Sequence, residues 1–356
     1  MKKELVVDNT IFLTLAGSKA YGLDTPESDT DIRGVTIIPD KSYYFGIGIN
    51  KFEQADSMFN GEDDKTIYDI RKALKLMCDG NPNMLDLAFT DRNSFIKITE
   101  FWEPVIENKE KFITKKLRFT FAGYAYAQLH RIKRHRSYLL NPPTKKPERK
   151  DFRLPEWKLV SEDDLGAFQW LVSKLLEDSI ELMNLSDSTK QELKQVNYIG
   201  LVQRNDFNEA CDEIKKLTQA PDGFVDVVMR EKAYKAAMNS WDSYNDWKTN
   251  RNPKRKITED KFGYDLKHAS HLVRLMRMCV EIFETKKINV LRPDREELLS
   301  IKNGAWTYEQ VVEYAEKCEK KLDELYKTSD LPHTPDYNFF DKLCIDIIER
   351  YLIYKK

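Results

Sequence analysis

Two acidic residues separated by one position are candidate metal ligands. Asp29 and Asp31 lie in the stretch SDTDIR (28–33), which is followed by the apolar run 35–38. Alternate residues of a β-strand point to the same face, so an extended conformation would place Asp29, Asp31 and Arg33 together. Two carboxylates on one face repel each other unless a cation lies between them, and hard divalent cations such as Mg²⁺ prefer oxygen ligands. The spacing therefore predicts a site for Mg²⁺ or Mn²⁺.

A Gly-Ser pair upstream of these aspartates predicts a phosphate-binding turn. The alternating apolar run 11–16 ends at Gly17-Ser18. Glycine lets the backbone approach a ligand closely, and a helix that begins at Ser18 would direct free N–H groups towards phosphate. A phosphate cradle followed by paired carboxylates on a strand is typical of phosphoryl or nucleotidyl transfer, so Asp29 and Asp31 are predicted to be catalytic.

Neighbouring side chains offer further contacts to a nucleotide. Lys19 and Tyr21 follow the Gly-Ser pair and are placed to contact phosphate or base, although a solvated surface is the simpler expectation for both. Arg33 shares the predicted face of the aspartates, where it would either neutralise phosphate charge or form a structural ion pair. Lys19 and Arg33 are predicted to bind the nucleotide.

The elements around these residues indicate an α+β N-terminal domain. Short strand patterns at 51–56 and 65–68 precede a helical pattern that begins at Asp69, and a second helix begins near Asn83. We predict one domain over residues 1–115 and a mainly helical domain over 116–356, with 141–256 as an insertion or arm. Helical patterns occur at 119–140, 163–183, 188–196, 206–217, 225–248, 265–285, 307–326 and 337–354. Residues 252–256 read as a basic loop.

The composition excludes several other classes of protein. Basic residues number 58 against 59 acidic ones, so the net charge alone does not indicate a nucleic-acid partner. No apolar run approaches the roughly 20 residues that span a bilayer. The five cysteines are scattered and lack metal-ligand spacing, which favours reduced thiols. A cytoplasmic protein without a membrane partner is predicted.

Gly17-Ser18 followed by SDTD (28–31) resembles the signature of the DNA polymerase β-like nucleotidyltransferase superfamily. The runs at 80–89, 263–275, 291–306 and 329–336 resemble its RNA-repair-associated branch and similar phage proteins. The resemblance covers roughly residues 10–140 and 260–335. It implies a short mixed sheet with flanking helices and a mechanism that uses a divalent metal and an NTP.

The resemblance also implies a third metal-binding carboxylate on a neighbouring strand. Asp64, at the start of the strand pattern 65–68, is the preferred position and would also receive the acceptor's proton. Asp69 is the alternative third ligand, although its place at the start of a helical pattern equally predicts an N-cap. Glu53 and Asp86 also stay open, and Asp86 stands where the branch usually shows a glutamate.

A polar stripe on a later helix offers a second set of contacts. Lys267, His271 and Arg274 are spaced i, i+4, i+7 and would share one face beside an apolar stripe. The functional interpretation is that His271 and Arg274 bind the triphosphate or an acceptor's phosphate; an ordinary helix surface is the alternative. Metal binding by His268 and His271 is disfavoured, because no nearby cysteine or carboxylate set completes a site.

Two basic clusters predict a path for nucleic acid. Residues 130–136 (HRIKRHR) and Lys254–Lys256 could contact RNA or DNA ends, although charge runs are usually solvated surface.

The function that these observations predict is transfer of a nucleoside monophosphate from an NTP to an acceptor hydroxyl, preferably an RNA 3′ end, with release of pyrophosphate. AMP transfer to a protein or small molecule uses the same core. A non-catalytic module that binds nucleotide or nucleic acid is the alternative from a different class.

Overall fold

The structure, a computed structural model, describes most of the chain. The described residues are 3–26, 28–45, 54–55, 64–157 and 222–356, with the helical positions 163, 166, 170 and 174. Glu53 and the helices predicted at 188–196 and 206–217 lie outside them. The chain forms two compact units, one of Met1–Leu140 with Pro253–Lys356 and the other of Asn141–Asn252. The boundary predicted at residue 115 falls within the first unit, and the predicted insertion overlaps the second.

A small mixed sheet forms the N-terminal part of the first unit. Its strands are β1 (Thr10–Leu15), β2 (Asp31–Thr36), β3 (Gln54–Ala55), β4 (Asp64–Asp69) and β5 (Phe95–Ile98), in the order β3-β4-β2-β1-β5. β2 and β4 run parallel, and the other neighbours are antiparallel. The predicted α+β class with a short mixed sheet is confirmed.

The aromatic side chain of Phe12 anchors this sheet in the core. Phe12 is fully buried, and its ring stacks on Trp102 with centroids 5.1 Å apart and meets the edge of Phe95 at 4.9 Å. Burying a side chain of this size contributes about 1.5–3 kcal/mol. The alternation of the run 11–16 matches the two-residue repeat of β1, which spans Thr10–Leu15.

Helices flank the sheet and form the C-terminal part. Those of the N-terminal part are α1 (Lys3–Asp8), α2 (Gly17–Ala20), α3 (Ile70–Cys78), α4 (Pro82–Phe89), α5 (Glu103–Glu107) and α6 (Leu117–Leu140). The later ones are α7 (Asp222–Asn250), α8 (Pro253–Phe262), α9 (Leu266–Thr285), α10 (Arg295–Lys302), α11 (Tyr308–Thr328) and α12 (Tyr337–Tyr354). The mainly helical C-terminal part is confirmed.

Helix α9 is central to the helical part of the first unit. It packs against α6, α10 and α11 and buries Leu272, Val273 and Met276 completely. Asp265 begins it as an N-cap, since its Oδ1 accepts the His268 N–H at 3.0 Å. The helix predicted at 265–285 is therefore present almost residue for residue.

Residues 252–256 are not the basic loop that we predicted. Pro253 begins α8 at a position where its missing N–H costs nothing and its fixed φ suits a helix. β5 and α10 were also absent from the sequence-based interpretation, because both are short and carry little periodicity.

The second unit is held by a buried ion pair. Arg149, in a 3₁₀ helix (Arg149–Phe152), donates to Glu231 of α7, with Nη2 to Oε1 at 2.6 Å. Glu231 is buried, so the bidentate guanidinium satisfies a carboxylate that burial would otherwise penalise.

Of the cysteines in the described part of the chain, Cys78, Cys279, Cys318 and Cys344 are free and buried. Within the described residues, no helix combines the length and the apolar character needed to cross a membrane.

Candidate functional site

The register of two parallel strands brings Asp31 and Asp64 together. Asp31 is the first residue of β2 and Asp64 is the first residue of β4, and the two are paired directly. Because parallel strands start at the same edge of a sheet, both carboxylates lie at that edge. Asp29 precedes β2 by two residues and is exposed. We call Asp29, Asp31 and Asp64, with Gly17-Ser18, the aspartate site.

The Gly-Ser turn lies against the Asp31 carboxylate. The Ala16 N–H donates to the Asp31 carbonyl at 2.8 Å, which fixes the end of β1 beside the start of β2. Gly17 has φ of +57°, and a Cβ at this position would lie 2.0 Å from Asp31 Oδ2. Only glycine combines this backbone conformation with so close an approach. Gly17 thus allows the turn and the carboxylate to share one space.

Short helix α2 leaves its first turn without a side-chain cap. It begins at Gly17, one residue earlier than predicted, and its N-cap Ala16 has no side-chain oxygen that could accept an amide proton. The first N–H groups of any helix have no partner within the helix. Lys19 donates from Nζ to the Thr30 hydroxyl, which lies between Asp29 and Asp31. Lys19 is therefore tied to the aspartate loop rather than free at the surface.

The electrostatics of Asp31 reflect a crowded carboxylate site. Partial burial raises the pKa of Asp31, and the carboxylates of Asp64 and Asp29 add to the rise. Arg33 and Lys267 oppose it by favouring the charged form. Like charges that raise one another's pKa are stabilised by a cation placed between them.

Arg33 and Lys267 reach this site from different elements. Arg33, on β2, donates from Nη1 to the Asn83 carbonyl at 2.9 Å. Lys267 is exposed in the first turn of α9 and acts electrostatically on Asp31. Sequence reasoning placed Lys267 on a basic stripe without connecting it to the aspartates, since nothing in a linear sequence shows which helix approaches a strand end.

Asp69 lies at the other end of β4. It accepts the Arg71 N–H at 2.9 Å as the N-cap of α3 and pairs with Arg71 Nε at 2.8 Å. It lies five positions along the strand from Asp64, a distance of about 16 Å. The N-cap interpretation therefore describes its position, while the choice of third metal ligand stays a prediction.

Tyr21, Asp86 and Arg274 form a buried cluster behind the Gly-Ser turn. The Tyr21 hydroxyl donates to Asp86 Oδ2, and the Arg274 guanidinium lies 3.7 Å from the centre of the Tyr21 ring. All three side chains are buried, so the expectation that Tyr21 is solvated was wrong. Among the described residues, Asp86 Oδ1 has no hydrogen-bond partner.

Burial dominates the electrostatics of this cluster. It raises the pKa of Tyr21, a rise that Arg274 opposes and Asp86 reinforces. It also raises the pKa of Asp86, against the effects of Arg274, the Tyr21 hydrogen bond and Arg33. A buried carboxyl, hydroxyl and guanidinium held this closely form a rigid support for the residues that follow α2.

The C-terminal part contacts the same turn through backbone groups. The Arg292 N–H donates to the Tyr21 carbonyl at 3.1 Å, and Arg295 donates from Nε to the Gly22 carbonyl. The guanidinium of Arg292 is itself held by Glu281 and by Asp294 at 2.8 Å. These supports were missed, although the resemblance at 291–306 could have indicated that this run serves the site.

The polar stripe of α9 contains a single exposed charge. Burial lowers the pKa of His271 to about 3, and the positive charges of Arg274 and Lys267 add to this effect, so the imidazole is neutral near pH 7. Arg274 is only 4% exposed. Nucleotide binding by His271 and Arg274 stays a prediction.

A second group of potential metal ligands lies at the start of α9. Within the described residues, His135, Asp265 and His268 bring three ligand atoms within 4.8 Å of one another. Asp29, Asp31 and Asp64 are not gathered this closely. The expectation that no carboxylate accompanies His268 was wrong, because Asp265 lies one helical turn before it and His135 comes from distant α6. We call His135, Asp265 and His268 the histidine site.

The predicted basic cluster on α6 is divided between surface and structure. Arg131, Lys133 and Arg134 are exposed, whereas Arg136 donates to the Gly263 carbonyl at 3.1 Å and covers the Tyr308 ring at 4.3 Å. In the second cluster, Lys256 is exposed. A contact with nucleic acid at either cluster stays a prediction.

Comparison with known proteins supports the resemblance stated from the motifs. The chain is 24% identical over 359 aligned positions to an uncharacterized 38.9 kDa protein of Enterobacteria phage T4, with 96% of each chain covered. No solved structure matches the chain. Residues 2–145, which contain the aspartate site, match the model of the RNA repair pathway DNA polymerase beta family. The N-terminal region thus resembles a polymerase β-like nucleotidyltransferase family.

Proposed function

We propose that this protein transfers a nucleoside monophosphate from an NTP to an acceptor hydroxyl, preferably an RNA 3′ end, and releases pyrophosphate. The observation that carries the proposal is the pairing of Asp31 with Asp64 at one sheet edge, with Gly17 packed against the Asp31 carboxylate. The family match supports the same general activity.

The donor set fits a hard divalent cation. Asp29, Asp31 and Asp64 offer only oxygen atoms, and the carboxylates of Asp64 and Asp29 raise the pKa of Asp31, the electrostatic condition that a bound cation relieves. Mg²⁺ or Mn²⁺ would be held by these three residues. When bound, the metal supplies Lewis-acid polarisation and neutralises phosphate charge.

The chain's own residues would bind and orient the substrates. Gly17 and Ser18 would hold the terminal phosphates at the uncapped first turn of α2, with Lys19 beside them. Asp64, exposed at the start of β4, would accept the proton of the attacking hydroxyl. Arg33 would offset the negative charge that carboxylates and triphosphate bring together, and Lys267 acts on Asp31 in the same sense.

His271 and Arg274, which were predicted to bind the nucleotide, would contribute in different ways. His271 is neutral, so it would offer a hydrogen bond rather than a charge to the nucleotide. Arg274 is stacked on Tyr21, so it would act on the phosphates indirectly, by holding in place the turn that binds them.

Exposed basic residues favour a nucleic-acid acceptor, and the match to an RNA repair pathway family makes RNA the preferred one. Arg131, Lys133 and Arg134 project from α6, and each basic residue that neutralises a phosphate adds to the salt dependence of nucleic-acid binding. If these residues guide RNA, the extent of transfer to RNA will fall as the salt concentration is raised. The rate at which NTP is consumed in the absence of RNA should change little.

The experiment that tests the proposal follows label from four α-labelled NTPs in the presence of Mg²⁺. Equal pools of RNA, DNA and protein serve as acceptors, and pyrophosphate release is measured in parallel. The double variant Asp29→Ala/Asp31→Ala removes two of the three carboxylates. Asp40→Asn is the matched control, since Asp40 is an exposed cap outside the site and asparagine also caps.

Label on RNA with the wild type and Asp40→Asn, but not with the double variant, is the expected result. Label on protein would retain the transfer and overturn RNA as the acceptor. NTP binding without label in any pool would favour a non-catalytic binding module and overturn the proposal.

A further inference from the structure

We propose that the histidine site, His135, Asp265 and His268, binds Zn²⁺, with Glu259 as a fourth ligand. This inference does not depend on the proposed function. Three helices supply the residues: His135 comes from α6, Glu259 from α8, and Asp265 and His268 from the start of α9. The His268 Nε2 atom lies 3.6 Å from Asp265 Oδ2, and His135 Nδ1 lies 3.5 Å from Glu259 Oε1.

The protonation of His268 leaves its Nε2 lone pair facing a carboxylate. His268 Nδ1 lies 2.7 Å from Gln128 Oε1, an acceptor, so Nδ1 carries the proton of the neutral ring. Nε2 is then an acceptor directed towards Asp265 Oδ2, which is another acceptor. A cation between the two atoms turns this repulsive contact into two favourable ones.

Asp265 is a buried carboxylate with one oxygen unsatisfied. Its Oδ1 caps α9 by accepting the His268 N–H at 3.0 Å. Its Oδ2 has no hydrogen-bond partner among the described residues, although the side chain is 2% exposed. Leaving a buried carboxylate oxygen without a partner is costly. Arg255 comes within 3.8 Å but is 38% exposed, so it can turn towards solvent.

The ligand types select Zn²⁺ over Mg²⁺. Two imidazoles with carboxylates suit zinc, whereas Mg²⁺ requires oxygen ligands and keeps its waters. Ligand atoms in a tetrahedral zinc site lie about 3.3 Å apart, given Zn–N distances of about 2.0–2.1 Å. The contacts of 3.5 and 3.6 Å are near this spacing, and the three ligand atoms of the histidine site lie within 4.8 Å of one another, so binding requires the ligands to close around the ion. The two carboxylates of Asp265 and Glu259 balance the charge of the ion.

Gln128 has the position of an outer-shell residue. Metal-bound histidines usually donate their second ring N–H to a fixed acceptor, which orients the ring. Gln128 supplies this acceptor from α6, seven residues before His135 and therefore on the same face of the helix.

The histidine site would join α6, α8 and α9 next to Lys267, the residue of α9 that acts electrostatically on the aspartate site. Lys267 precedes His268 directly and acts on Asp31. Zinc at His268 would therefore fix the first turn of α9, and with it the position of Lys267.

The test is titration of the metal-free full-length protein with Zn²⁺, by calorimetry in the presence of excess Mg²⁺ and by the shift of the thermal unfolding midpoint. The variants His135→Gln, Asp265→Asn and His268→Gln each remove a ligand, and asparagine preserves the helix cap. His130→Ala is the matched control, since His130 is exposed on the same helix. Circular dichroism of the metal-free variants establishes that each is folded.

One Zn²⁺ per chain, with a raised unfolding midpoint in the wild type and His130→Ala, is the expected result. Each ligand variant should bind at least tenfold more weakly, and Gln128→Ala about 10- to 100-fold more weakly. Two results would overturn the proposal: wild-type protein that binds no Zn²⁺ in the presence of Mg²⁺, or folded His135→Gln and His268→Gln variants with wild-type affinity. Should one ligand variant fail to fold, the other and Gln128→Ala still decide the outcome.

Discussion

The aspartate site and the histidine site differ in their exposure to solvent. The first has oxygen donors alone, with Asp29 and Asp64 exposed at a sheet edge. The second combines imidazoles with a buried carboxylate and an outer hydrogen bond that His268 donates to Gln128. Exposed oxygen ligands suit a metal that arrives with its nucleotide, whereas a buried mixed set suits a metal that is retained. Under the two proposals, one chain would separate an exchangeable ion from a structural one.

The largest effect should separate Asp64 from Asp69. Asp64→Asn should lower transfer by at least about 100-fold, because it removes charge stabilisation at the reacting groups, and should leave the unfolding midpoint unchanged because Asp64 is exposed. Asp69→Ala removes a helix cap instead and should cost about 1–2 kcal/mol of unfolding free energy. Single-turnover transfer and urea unfolding measure both quantities. Loss of transfer in folded Asp69→Ala, with Asp64→Asn active, would make Asp69 the third ligand.

The next effect concerns the contact between Gly17 and Asp31. In Gly17→Ala the added methyl group would meet Asp31 Oδ2 in a backbone conformation unfavourable for alanine, so we expect loss of about 1 kcal/mol or more and at least tenfold slower transfer. Gly123→Ala is the control: this α6 position has open space in the described structure, and alanine there should stabilise by up to about 1 kcal/mol. Equal effects of the two changes would contradict the proposed role of the turn.

A smaller effect should report the buried cluster behind the turn. Tyr21→Phe removes the donor to Asp86 and leaves a buried carboxyl oxygen unsatisfied, at a cost of about 1–3 kcal/mol. Tyr124→Phe removes a hydroxyl that accepts a hydrogen bond from Asn81 at an exposed site, so it should change stability by less than about 0.5 kcal/mol. Denaturant unfolding compares the pair. A Tyr21→Phe protein as stable as Tyr124→Phe would show that Asp86 needs no such partner.

The smallest expected effect is a pH dependence of stability at Asp31. Folding raises the pKa of this carboxyl above its ordinary value of 3.8, so between the two values the folded state binds more protons than the unfolded state. Stability therefore falls as the pH rises through this window. Asp31→Asn should raise the metal-free unfolding midpoint at pH 7 and lose this advantage below pH 3.8. If the stability advantage of Asp31→Asn over the wild type grew as the pH fell, the prediction would be contradicted.

The aspartate site could be predicted because its residues are local in sequence. Gly17-Ser18 and the two aspartates lie within 15 residues, and strand alternation orders them. Asp64 required the family resemblance, which implied a carboxylate on a neighbouring strand, and the strand register pairs Asp64 with Asp31. Long periodic helices such as α9 were also predictable, since their apolar spacing is a strong signal.

The histidine site and the supports of the turn could not be predicted in this way. His135 and His268 are 133 positions apart in the sequence, and only the packing of α6 on α9 brings them together. Arg292 and Arg295 reach the turn from residues that carry no periodic signal of contact with it. Short elements such as β5 were missed because four residues give too little pattern to distinguish a strand from a loop.

The most direct test of the central claim is a comparison of α-labelled with γ-labelled ATP as donor, using RNA with a free 3′ hydroxyl. The wild type and Asp40→Asn are run beside Asp31→Asn/Asp64→Asn, and folding is checked for each. The account predicts that the α label joins the RNA, that the γ label leaves in pyrophosphate, and that the double variant does neither. Transfer of the γ label, or undiminished α transfer by the folded double variant, would contradict it.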